Sequence, residues 1–148
     1  MFPLSLFPRL AGDGFQQTSS ATPRYNCIAW AAGADDAWWE PALFGPYYWP
    51  PALPRGDYSV ANYSAAFASC GYMRCEDGTL EPSLEKIAIF VAPDGSATHA
   101  ARQLPDGSWT SKMGKGIDIA HPWPGSVEGP QYGAIAVYMS RTRQSTLF

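Results

Sequence analysis

The sequence predicts an α+β fold in which N-terminal helices pack on an antiparallel sheet of about four or more strands. Three observations predict it. Small and apolar residues fall at helical spacing in two segments of the first half, 27–32 and 58–71. The second half changes to short apolar runs of strand length. Those runs are separated by two Pro-Asp-Gly turns, at 93–95 and 105–107, short enough to make consecutive hairpins.

Residues 1–24 include Gly12, Asp13, Gly14 and a polar run from Gln16 to Pro23 without a period, and read as an irregular lead-in. At Asn26 the text changes. Cys27-Ile28-Ala29-Trp30-Ala31-Ala32 is dense enough in small and apolar side chains for a short buried helix, with Gly33 at its C-terminal cap. Between residues 38 and 54 lie Trp38, Trp39, Tyr47, Tyr48 and Trp49 among prolines 41, 46, 50, 51 and 54, so neither helix nor strand ladder persists there. Val60, Tyr63, Ala66, Phe67 and Cys70 then give an amphipathic helix over 58–71 that ends at Gly71. Strands are expected over 86–92, 98–104 and 108–113, a Gly114-Lys115-Gly116 break and a Pro122–Gly125 turn follow, and 132–139 supplies a fourth strand. The polar residues from Arg141 to Ser145 leave the sheet, making 142–148 a tail. No repeat beyond the two turns and no linker divides the chain, so 1–148 reads as one domain.

Hydrophobic residues make up 46% of the 148 and charged ones 16%, which excludes a disordered or fibrous protein. A net charge of −3 supplies no basic surface, and this argues against a nucleic-acid partner. No apolar run approaches the roughly 20 residues that span a bilayer. The start, Met1 to Arg9, has no basic segment before its short apolar stretch and carries Pro3 and Pro8. The expectation is a soluble, cytoplasmic protein without membrane contact, or one exported without a signal peptide. Cys27, Cys70 and Cys75 are odd in number, so at least one thiol is free. Cys70 and Cys75 could pair across the turn between them in an oxidising compartment; in a cytosol they are plain thiols. No CxxC or HxxxH spacing calls for a metal, and Gly114-Lys115-Gly116 lacks the strand–loop–helix setting of a phosphate loop, so no cofactor is expected.

A thiol at a helix start has its pKa lowered by unpaired N–H groups and the helix dipole, which makes Cys27 the candidate nucleophile. A base is needed, and the chain has two histidines. His99 lies in an expected strand that can hold it rigidly, while His121 falls in a loop before a proline. A third group must orient the imidazole; Asp118, Ser111 and Gln103 can, with Asp118 preferred and Ser111 dependent on register. The Cys27 N–H with a neighbouring donor, the Asn26 side chain or a group from the preceding loop, is the expected oxyanion site, and Trp30, Trp109 and Lys112 complete the substrate-binding set. Each has a plainer reading. Cys27 can be an inert buried thiol, His99 a satisfied structural histidine, Lys112 a solvated strand residue, and the aromatic loop a packed lid rather than a substrate wall.

The strings Asn26–Ala31, Thr98–Gln103, Trp109–Gly114 and Tyr132-Gly133 resemble a bacterial domain family that is similar to the papain-like superfamily in its compact NlpC-type and CHAP-type amidases and peptidases. The resemblance covers roughly residues 24–141, although the pattern around papain's own cysteine is absent. It implies a papain-like, NlpC-type fold with Cys27 as nucleophile, His99 as base and a polar third member on the next strand or just after it. The activity implied is a cysteine hydrolase opening an amide through a thioacyl-enzyme, on a peptide, a peptidoglycan stem or a protein side-chain amide. Transglutaminase-like acyl transfer uses the same residues. The alternative is a non-catalytic module that docks a protein partner through loop 38–54.

Overall fold

In the computed structural model, which describes residues 4–143, seven strands hydrogen-bond into one antiparallel sheet. They are β1 (Gln16–Ser19), β2 (Met73–Cys75), β3 (Leu84–Val91), β4 (Ala97–Gln103), β5 (Trp109–Lys112), β6 (Asp118–His121) and β7 (Ala134–Thr142), in the spatial order β1-β6-β5-β4-β3-β7-β2. Helices are few and short: α1 (Pro8–Asp13), α2 (Cys27–Ala32) and α3 (Val60–Ala68), with 3-10 turns at Leu4–Leu6 and Pro124–Val127. This corrects the expected α+β, papain-like layout of N-terminal helices packed on an antiparallel sheet of about four or more strands. The fold is β-rich, and the helices are accessories to the sheet.

Three strands account for the difference. β1 is polar and mostly exposed at one edge, so it has no hydrophobic alternation to read. β2 is three residues long at the opposite edge. β6 was hidden by Gly114-Lys115-Gly116, which is not a break but the tight turn of a hairpin. Gly114 there takes φ 61°, and Lys112 pairs with Asp118 across it. The lead-in over 1–24 is likewise structured: Pro8 opens α1, and β1 follows. Arg141 and Thr142 belong to β7 rather than to a tail, and the rest of that expected tail from 144 to 148 lies outside the described residues, as do residues 1–3.

The pleat sorts alternate residues into two cores. Ile87, Ile89, Ala100, Val137 and Met139 face α2, α3 and Trp49, where they meet Cys27, Ile28, Ala31, Tyr63 and Phe67. Ala88, Phe90, Ala101, Trp109 and Ile119 face the other way, toward Phe7, Leu10, Val127 and Tyr132. Because β3 is covered on both faces, it reads as a continuous apolar run. α2 is fixed at both ends: the Asn26 side chain accepts from the Ala29 N–H, and Gly33 closes it at φ 92°. Loop 38–54 drives Trp49 into the first core against Tyr63, while Leu43 and Phe44 stay 66% and 88% exposed. Among the described residues no helix is long and apolar enough to cross a membrane.

Candidate active site

β3–β4 pairing sets His99 directly opposite Phe90, so its imidazole shares the face of the second core. The ring is fully buried, stacked on Tyr132 at 4.0 Å and 6°, with the Phe90 edge 5.2 Å away. Gly133, at φ 76°, lets the chain turn there, and a Cβ on it would run into the Val91 carbonyl. The Thr98 hydroxyl donates to the Tyr132 carbonyl and pins the same corner.

Three side chains then form a relay. His99 Nε2 lies 3.0 Å from Ser111 Oγ, and Ser111 Oγ lies 2.8 Å from His121 Nε2. His121 Nδ1 lies 2.8 Å from the Trp123 carbonyl. The protons follow from donor logic. A carbonyl only accepts, so His121 Nδ1 carries hydrogen. Burial pushes the His121 pKa down to about 4, which leaves the ring neutral at pH 7 and Nε2 an acceptor. Ser111 therefore donates to His121 and accepts from His99 Nε2–H. Burial, and then the nearby His121, hold His99 well below the usual histidine range, so it too is neutral. Its Nδ1 is consequently a bare lone pair, and among the described residues that buried nitrogen has no hydrogen-bond partner.

Cys27 opens α2 on the other side of β4, with 8% of its surface exposed. Burial raises the thiol to about 11, against the opposing pull of the backbone N–H groups of Ala100, Ile28 and Cys27 itself and of the Lys112 ammonium. The helix start thus does not make a resting thiolate, because desolvation outweighs it. The sulfur touches β4 at Ala100, the residue after His99. No hydrogen bond joins thiol to imidazole, since the pleat turns Ala100 toward α2 and His99 toward Phe90. Tyr132 connects the two: it stacks on His99, and a charge on Cys27 contributes to raising its hydroxyl pKa after burial. A cavity of about 280 Å³ opens on the thiol, lined among others by Cys27, Tyr63, Ala97, Thr98, Gln131 and Tyr132. A larger, mainly apolar cavity of about 510 Å³ adjoins it through Gly114, Gln131 and Tyr132.

The remaining expected site residues go elsewhere. Asp118 does not meet His99; it accepts from Tyr25 OH at 2.6 Å and pairs with Lys112 on the α2 face. Gln103 donates to the Gly78 carbonyl. Asn26 is held by Ala29 N–H and Trp39 N–H, which donate to its oxygen, and by the Trp39 carbonyl, which takes one of its two amide hydrogens, so its side chain serves mainly as the cap of α2. Trp30 donates to Thr110 under the Arg102 guanidinium, and Trp109 is buried in the second core. Lys112 is not a solvated strand residue: it is fully buried, and its ammonium donates to the carbonyls of Thr22, Gly114 and Gly116. His121 ends β6 instead of lying in a loop. Once the 114–116 turn is read as a hairpin, His121 opposes Trp109 and shares a face with Ser111, two residues along. All three cysteines are free, and among the described residues no three His, Cys, Asp or Glu side chains gather as metal ligands.

A family model described as "Domain of unknown function (DUF7689)" matches residues 16–140. No curated protein and no solved structure matches the chain.

Proposed function

We propose that this chain, which belongs to the DUF7689 family by its match over residues 16–140, is a cysteine hydrolase. It opens an amide bond of a peptide, a peptidoglycan stem or a protein side chain through a thioacyl-enzyme. One observation carries the reading: the bare Nδ1 of His99 is buried, unpaired and held in the base form by Ser111 and His121, beside the stretch of β4 that touches the Cys27 sulfur. An orphaned buried acceptor costs about 1–3 kcal/mol; among the described residues Asn62 Oδ1, Gln103 Oε1 and Asp118 Oδ1 share that state, and His99 Nδ1 is set apart from them by belonging to the residue next to Ala100, which the Cys27 sulfur touches. A cytoplasmic location fits the three free thiols.

In the proposed reaction substrate binding brings the Cys27 thiol and His99 Nδ1, which are not bonded at rest, within reach of each other, and the thiol proton passes to Nδ1 as the sulfur bonds to the substrate carbonyl carbon. The oxyanion faces the backbone N–H groups at the start of α2. The C–N bond then breaks and the amine leaves with the proton from Nδ1. Water gives a proton to Nδ1, its oxygen bonds to the acyl carbon, the C–S bond breaks, and the sulfur recovers its proton from Nδ1. Neutral thiol and neutral imidazole are the resting pair, and the thiolate exists only during turnover.

Labelling tests this. Because only the thiolate reacts and its pKa is about 11, iodoacetamide modification of Cys27 is slow at pH 7 and rises about tenfold per pH unit toward that midpoint. A substrate-like aminoacyl chloromethyl ketone, by contrast, labels Cys27 at pH 7, and His99→Ala slows that labelling by roughly 100-fold. Equal rates in the two proteins overturn the proposal. Ser111→Ala leaves both histidines but releases the His99 tautomer; it is expected to lower kcat by roughly tenfold to 100-fold and to change the acid limb of the kcat–pH profile.

A docking module built on loop 38–54 is favoured by the exposed Leu43 and Phe44 at its tip. It leaves the His99 nitrogen unexplained.

A further inference from the structure

Trp38, Glu40 and Tyr58 also line the Cys27 cavity. Glu40 is the one charged residue on that wall. Both of its oxygens are held, Oε1 by the Trp38 indole N–H at 3.0 Å and Oε2 by the Tyr58 hydroxyl at 2.7 Å. Both donors are neutral, so they aim the carboxylate without cancelling its charge, and each oxygen keeps a lone pair for another donor. The ion pairs of the described residues, Arg9–Glu128, Lys86 with Asp77 and Glu81, and Arg141–Glu85, leave Glu40 out.

The backbone supports the same geometry. Glu40 N–H donates to the Tyr48 carbonyl and Tyr48 N–H to the Trp38 carbonyl, a two-rung pairing that holds the proline-stiffened loop against the cavity. Trp38, Tyr58 and Tyr63 bring three aromatic rings to the wall on which the carboxylate sits. A fixed anion outside the ion pairs of the described residues, with aromatic side chains beside it, complements a cation, because carboxylate and aromatic rings attract the same sign.

We propose that Glu40 is the specificity anchor for a cationic amine on the substrate, so that the preferred amide carries a primary ammonium group beside the bond that Cys27 attacks. The inference rests on the cysteine-hydrolase reading and deepens it by naming the substrate class. It also gives the aromatic loop a task, as the wall that selects for charge.

The test uses two fluorogenic amides, N-acetyl-lysyl and N-acetyl-norleucyl aminocoumarin, which differ by the ammonium group. The wild-type protein is expected to favour the lysyl amide at least about tenfold in kcat/KM, mainly through KM. Raising salt from about 0.05 M to about 0.5 M narrows the ratio, as screening requires. Glu40→Gln brings the ratio near unity, whereas Tyr58→Phe, which keeps the ring and frees a carboxylate lone pair, retains the preference. Absence of a lysyl preference, a preference insensitive to salt, or one that survives Glu40→Gln overturns the anchor. Calorimetric binding of the same two amides to Cys27→Ala protein separates the two ideas. Tighter, Glu40-dependent lysyl binding without wild-type turnover sinks the hydrolase and keeps the anchor, while turnover without lysyl preference does the reverse.

Discussion

Cys27→Ala is expected to abolish amide turnover, a loss of at least about 10⁴-fold, and His99→Ala to lower it by about 10²- to 10⁴-fold. The two differ because the sulfur forms the covalent bond, whereas the imidazole only moves its proton. A thiol of pKa about 11 is a thiolate in roughly one molecule in 10⁴ at pH 7, so the basicity of His99 Nδ1 is what makes attack possible there. Raising the pH therefore rescues His99→Ala in part, by ionising the thiol directly, and does nothing for Cys27→Ala. The double variant is no worse than Cys27→Ala, because residues that act as a unit do not add. Folding is a separate matter. Cys27 exchanges one sulfur for empty space at the edge of the first core, a cost of about 1 kcal/mol. Turnover retained in Cys27→Ala, or equal losses in both variants without pH rescue, removes the thiol from the chemistry.

Much of the local structure was legible because it rests on local rules. Asn26 and Gly33 bracket a helix that runs over the expected residues, and Pro-Asp-Gly at 93–95 and 105–107 turns the chain between β3, β4 and β5. What failed was everything set by pairing at a distance. β1 has exposed polar side chains because it is an edge, and an edge strand shows no alternation from which to infer it. The 114–116 glycines look like punctuation in the sequence, yet they fold β6 onto β5, and that single hairpin fixes the register that brings Ser111 and His121 together and sends Asp118 to the opposite face. The same alternation explains the missing thiol–imidazole bond. Ala100 faces α2 and His99 the second core, so thiol and imidazole are not bonded at rest. The helix start at Cys27 was visible in the sequence, but its electrostatic consequence was not, since desolvation depends on how completely the sheet covers the sulfur.

Lys112→Met is expected to destabilise the protein by about 3 kcal/mol, lowering Tm by roughly 10 °C. A strand lysine between Ser111 and Met113 looks like a solvent-facing charge, but its ammonium donates at 2.8, 2.7 and 2.5 Å to the carbonyls of Thr22, Gly114 and Gly116, beneath the Tyr25 ring. All three of its hydrogens are used, so the desolvation of the charge is met by donors placed where backbone acceptors have no other partner. A methionine of similar length fills the space and leaves three carbonyls bare, which is the costly way to break a buried charge site. Lys115, exposed in the same turn, is the control: Lys115→Met changes stability by no more than about 0.5 kcal/mol. Function provides a second readout. The Lys112 charge favours the Cys27 thiolate, so in Lys112→Met the alkylation midpoint moves further above 11 while the folded fraction, measured separately by near-UV circular dichroism, accounts for none of the shift. A Tm loss without that shift makes Lys112 a clamp for Thr22 and the 114–116 turn alone. The shift together with the loss shows one ammonium serving both the hairpin that sets the register of the relay and the charge of the sulfur beside it.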